Sequence, residues 1–145
     1  MADIVLDMNA LRLLLDEKYV DGVIEKGDHV FLSKIWKRVY RSITELRLSF
    51  TIFYTHIKKL RKTKRLHEVL GKSNLPTVIE RELKDEKANE DDFEIARIAY
   101  DRRKTQNDIF LVSNDSHFLQ LKLTFKQDGI IVETRDEELR RVKST

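Results

Sequence analysis

Ile109-Phe110-Leu111-Val112-Ser113-Asn114-Asp115 is the stretch that decides the fold. Four consecutive apolar residues closed by three polar ones leave no solvated face, so the run reads as a strand buried on both sides. Strands of that kind belong to parallel sheets covered by helices. Shorter runs of the same character stand at Ile4-Val5-Leu6, His29-Val30-Phe31-Leu32 and Ile130-Ile131-Val132. Helical patterns separate them. The chain therefore reads as α/β, a three-layer α/β/α domain with a central, mainly parallel sheet.

Working outward, Ala10 to Leu15 reads as helix, and so does Tyr19 to Glu25, with Gly27 placed to stop it. Ser33 is placed to cap the next helix. Apolar positions then continue from Ile35 to about Leu60, as one long helix or as two bent near Ser49-Phe50-Thr51. Gly71, Ser73, Asn74 and Pro76 mark a loop. Thr77 to Lys84 reads as helix, Lys84 to Asp92 as a charged loop or helix start, and Phe93 to Tyr100 as an apolar helix. His117 to Phe125 is ambiguous between strand and helix. Asp136 to Val142 reads as a polar terminal helix.

The 145 residues suit one domain, 1–145, with a helical basic segment at about 34–70. Charged residues make up 37%, well above the ~25% of average proteins. Yet 28 Lys+Arg against 25 Asp+Glu leave only +3, which excludes a uniform polycation. The absence of cysteine excludes disulfides, thiolate zinc sites and cysteine nucleophiles. Abundant Lys, Arg and Glu fits a hyperthermophile bias. No run approaches the ~18 apolar residues of a membrane span. The N-terminus lacks a basic n-region, so a cytoplasmic protein without membrane contact is expected.

In parallel sheets, ligands bind at the carboxyl ends of the strands. The first strand ends in Asp7, with Asn9 two residues on, and the long buried strand ends in Ser113-Asn114-Asp115. Asp91 and Asp92 open the helix that feeds that strand. Each of these is ordinary turn or cap chemistry when taken alone. Together they place carboxylates at one sheet edge, where oxygen-rich clusters suit Mg²⁺ or Mn²⁺. A metal so held activates water and stabilises phosphoryl transfer. A haloacid-type hydrolase wants a second acid two residues after the first, where Asn9 cannot titrate. The basic helical middle does not suit a receiver domain. A dinucleotide-binding fold needs a glycine-rich turn after the first strand, and none is present.

Three segments resemble PIN-domain proteins, a family of Mg²⁺- or Mn²⁺-dependent nucleases. They are Ile4-Val5-Leu6-Asp7-Met8-Asn9-Ala10-Leu11, the helix Asp92-Phe93-Glu94-Ile95-Ala96-Arg97-Ile98-Ala99, and Ile109 to Phe118. Gly129-Ile130-Ile131-Val132 is similar to the family's last strand. The resemblance implies metal-binding, catalytic roles for Asp7, Asp92 and Asp115, with Asn9 and Ser113 as polar supports. His117 stands where the family often has another Asp, as a phosphate contact or a surface residue at a helix start. The family's helix acid is missing: in Ser33-Lys34-Ile35-Trp36-Lys37-Arg38-Val39-Tyr40, Val39 occupies its place. Glu45 faces the wrong way to replace it, and Glu82 is a candidate from another helix.

Lys58, Lys59, Arg61, Lys62, Lys64 and Arg65 place six cations within eight residues, and Lys34, Lys37, Arg38 and Arg41 form a second cluster. Both suit the phosphates of RNA, or a solvated helix face. Trp36 and Tyr40 read either as base-stacking platforms or as core or dimer residues. The expected function is a metal-dependent endoribonuclease. The alternative is a catalytically degenerate RNA- or protein-binding module on the same fold. Expected partners are RNA, a second copy of the chain through Phe50, Ile52, Phe53 and Tyr54, and, by the resemblance, a small antitoxin-like protein.

Overall fold

The computed structural model describes residues 1–144. Strands β1 (Ala2–Leu6), β2 (His29–Ser33), β3 (Leu66–Val69), β4 (Asp108–Val112) and β5 (Ile130–Glu133) form one sheet in the order β3-β2-β1-β4-β5. Every pairing is parallel. Helices α1 (Glu17–Lys26), α2 (Trp36–Val39), α3 (Thr44–Leu48), α4 (Phe50–Lys62), α5 (Thr77–Asp85), α6 (Glu90–Asp101), α7 (Ser116–Leu119), α8 (Lys122–Gln127) and α9 (Arg135–Lys143) complete the architecture. The expected α/β/α arrangement is present, with a sheet that is wholly parallel.

The period of two along the central strands divides the core. Ile4 and Leu6 of β1, with Phe110 and Val112 of β4, face α1, α4 and α9. Val5, Ile109 and Leu111 face the opposite layer with Ile79, Leu83, Ile95 and Phe118. Two buried faces are why the β4 sequence is continuously apolar.

Four local differences separate the sequence reading from the fold. Met8–Leu15 winds as a 3₁₀ helix, and its buried pairs Ala10/Leu13 and Leu11/Leu14 fit that three-residue repeat. The long central helix is broken twice, at Ile43, which is extended, and at Ser49. The Ser49 break is the expected bend. A 3₁₀ turn over Tyr40–Ser42 precedes the first break, and the Ser42 hydroxyl donates to Val39 O at 2.7 Å. Strand β3 lies inside the 34–70 stretch expected to be helical, where no strand was expected. It pairs with the sheet through β2 alone and is only half-buried, so His67 and Glu68 mask its pattern. Finally, His117–Phe125 is two short helices. Phe118, Leu121 and Phe125 are buried while Leu123 is 76% exposed, which is helical spacing.

Ser33 does not cap α2. Its hydroxyl accepts from the Ile35 amide at 3.3 Å in a tight turn off β2. Gly27 ends α1 in the left-handed conformation, at φ 69°. Gly71 lets the chain after β3 pass against α6, where a Cβ would meet Arg97 Cβ at 2.4 Å. Among the described residues no helix is long and apolar enough to cross a membrane. Of the four residues expected at a dimer face, Phe53 is fully buried and Ile52 is exposed. Phe50 and Tyr54 stack on each other at 5.4 Å.

Candidate metal centre

Leu6 and Val112 are paired across β1 and β4, so the residues that follow them are juxtaposed. The Asp7 amide donates to Val112 O at 3.0 Å, and Ser113 Oγ donates to Asp7 Oδ2 at 2.7 Å. The Met8 amide donates to Asp7 Oδ1 at 2.8 Å. Asn9 Nδ2 lies 3.1 Å from Asp7 Oδ2 and 3.3 Å from Ser113 Oγ. Asn9 Oδ1 accepts from the Asn114 amide at 3.0 Å. These bonds tie the ends of two neighbouring strands through Asn9 and Ser113.

Asn89 caps α6 by accepting from the Asp92 amide, which brings Asp92 to the same sheet edge. Asp115 caps α7 by accepting from the His117 amide at 2.9 Å. His117 Nδ1 then lies 3.2 Å from Asp92 Oδ2 and 3.1 Å from Asp115 Oδ1. One ligand atom from each of Asp92, Asp115 and His117 falls within 4.8 Å of the others. Asp7 is not one of these three, but its carboxyl feels the charge of both Asp92 and Asp115.

Burial pushes the Asp7 carboxyl up to about 7, opposed by the Ser113 and Met8 hydrogen bonds and reinforced by Asp92 and Asp115. Burial and the Asp115 charge also raise Asp92, with His117 opposing. Burial works against the His117 cation, but Asp115 and Asp92 outweigh it and raise the imidazole. The Asp7 and Asp92 carboxyls are thus raised by burial and by neighbouring carboxylates, and Asp92 and Asp115 share the His117 imidazole. Two carboxylates and an imidazole at this spacing form a donor set for a divalent cation such as Mn²⁺ or Mg²⁺.

The remaining candidates are placed as follows. Glu82 lies half-buried on α5 and is not one of the three converging residues. Val39 ends α2, so no acid enters the cluster from there. Glu45 on α3 accepts from Arg12 Nε at 2.9 Å. Arg12 Nη1 and Arg135 Nη1 both donate to the Asn9 carbonyl, at 3.0 and 3.4 Å. The Arg135 amide donates to Asn114 Oδ1 at 2.9 Å. Neither Arg12 nor Arg135 was expected at the site from the sequence, and Asn114 stood there only as part of the polar end of β4. The strand-end rule applied to β5 points to Arg135, which opens α9 two residues after Glu133.

The basic residues divide by engagement. Lys34, Lys37, Arg38, Lys62 and Lys64 are exposed, as is Arg41, which lies over the Tyr40 ring at 5.8 Å. Lys58 lies over the Tyr54 ring at 5.3 Å, and Lys59 pairs with Asp21. Arg61 grips Glu68 with Nη2 and Nε at 2.8 and 3.1 Å, while Arg65 donates to Gly27 O at 3.1 Å. Arg61 and Arg65 thus anchor the edge strand. Trp36 is 2% exposed and donates its indole to Glu68 at 2.9 Å, which makes it a core residue and leaves no face for a base. Tyr40 is half-buried against Phe50, with ring centroids 5.0 Å apart.

Comparison with known proteins finds no matching family model, no matching curated protein and no matching solved structure.

Proposed function

We propose that the protein is a PIN-like, metal-dependent endoribonuclease that cleaves RNA phosphodiester bonds. One observation carries this reading: Asp92, Asp115 and His117 converge at the carboxyl edge of the sheet, next to the buried carboxyl of Asp7. Mg²⁺ or Mn²⁺ fits that donor set, and when bound it supplies an acidified water and neutralises charge at the phosphate. Asp92, Asp115 and His117 would hold the cation. Asp7 adds negative charge from behind them, oriented by Ser113 Oγ, Asn9 Nδ2 and the Met8 amide. The exposed Lys34, Lys37, Arg38 and Arg41 track the RNA backbone, with Lys62 and Lys64 adding to its attraction. A second copy of the chain, met through α4 where Ile52 is exposed, and a small antitoxin-like protein, implied by the PIN resemblance, are further proposed partners.

The test is cleavage of end-labelled RNA with Mn²⁺, with Mg²⁺ and with EDTA. Cleavage in metal alone, reduced about 100-fold or more in Asp115→Asn, is expected. RNA that binds but stays intact in both metals would end the nuclease proposal and favour the degenerate binding module. Val39 at the place of the family's acid is the feature behind that alternative.

A further inference from the structure

We infer that Arg12 and Arg135 form a phosphate seat beside the metal centre, which Glu45 fills in the free protein and an RNA phosphodiester takes over by displacing it. The choice of RNA as the phosphate source rests on the nuclease proposal.

The two guanidiniums meet on one acceptor, the Asn9 carbonyl. Asn9 is the residue whose side chain also holds Asp7 and Ser113, so a single residue separates the cations from the carboxylates. An arginine has five N–H donors. Arg12 commits Nε to Glu45 and Nη1 to Asn9, and the Arg135 side chain commits only Nη1. Arg135 Nε is buried with no partner. The pair therefore holds more donors than its surroundings accept, in the fork geometry that suits a phosphate.

Glu45 is the carboxylate that now answers this excess. Its own amide, and then Arg12 and Arg135, hold its carboxyl below the usual range. Its side chain is 55% exposed and that of Arg12 is 31% exposed. An exposed ion pair of this kind is weak and exchangeable. Glu45 lies outside the Asp92–Asp115–His117 group, so its removal leaves the metal ligands in place.

The seat makes predictions of opposite sign, which a bracing role for the arginines does not. The probe is a fluorescently labelled 12-nucleotide single-stranded RNA, followed by anisotropy in EDTA. Glu45→Gln is expected to tighten binding about 3-fold, and Arg12→Gln and Arg135→Gln to weaken it about 5- to 10-fold each. Glu25→Gln, an exposed acid on α1, makes the same change in net charge and should leave affinity unchanged. Unchanged or weaker binding by Glu45→Gln overturns the seat. So does the same tightening by Glu25→Gln, or retention of full affinity by both arginine variants. Because the measurement excludes metal, its outcome is separate from cleavage. Flat binding ratios beside intact Mn²⁺-dependent cleavage remove the seat and keep the nuclease. The expected ratios without cleavage do the reverse.

Discussion

Glu138 on α9 and Asp7 after β1 are both buried carboxyl groups raised by burial, yet they keep different company. Glu138 is fully buried, accepts the Tyr19 hydroxyl at 2.6 Å and pairs with Arg141. Arg141 also reaches Glu133 at 3.3 Å and covers the Phe110 ring at 3.5 Å. That cluster carries its own cation and holds α9 against the sheet. Asp7, 3% exposed, receives only a hydroxyl, a carboxamide and a backbone amide. Its neighbours Asp92 and Asp115 share a single imidazole. A buried acid with an arginine is a structural device. Asp7 has no arginine beside it, and the proposed cation would answer the charge it shares with Asp92 and Asp115.

The largest effect should come from breaking the paired cluster. Arg141→Ala leaves Glu138 and Glu133 without their cation and should destabilise the protein by ~3–5 kcal/mol. Urea unfolding reads this directly. A loss under ~1 kcal/mol would erase the contrast between the clusters.

A smaller effect of opposite sign is expected at the other cluster. The Asp7 carboxyl stands near 7 in the folded chain, against ~3.9 in an unfolded one. Between those values the folded chain binds more protons, so stability falls as pH rises from about 4 to about 7. Asp7→Asn removes that cost. It should stabilise the protein by ~1–3 kcal/mol at pH 8, with the gain fading toward pH 4. Destabilisation at pH 8 would mean that Asp7 is satisfied as Glu138 is.

The two clusters were not equally legible in the sequence. Asp7, Asn9, Ser113 and Asp115 follow unbroken apolar runs that mark strands buried on both faces, so topology alone brings them to one edge. Asp92 was legible because it opens a helix that must return to the sheet. The Glu138–Arg141–Tyr19 network was not, because Tyr19 lies 119 residues from Glu138 and no periodic pattern links the two. Trp36 read equally as a base-stacking platform and as a core or dimer residue, and the unexpected strand β3, which supplies Glu68 for its indole, is what places it in the core. β3 itself was hidden for the same reason that Arg61 and Arg65 looked free. Its half-buried residues lack an apolar pattern, and the cations that hold it are sequence neighbours in a basic run. Arg12 and Arg135 act through the main chain of Asn9, a contact that residue types do not encode.

The proposed divalent cation is expected at the strand-end carboxylates, where Asp92 and Asp115 share the His117 imidazole. Thermal unfolding of the wild type titrated with Mn²⁺ tests it most directly, because a ligand that binds only the folded chain raises Tm by mass action. A saturable rise in Tm, lost in Asp92→Asn and in Asp115→Asn and kept in Arg141→Lys, is the predicted result. A Tm that millimolar Mn²⁺ and Mg²⁺ leave unmoved, or a rise that survives both aspartate substitutions, would contradict it.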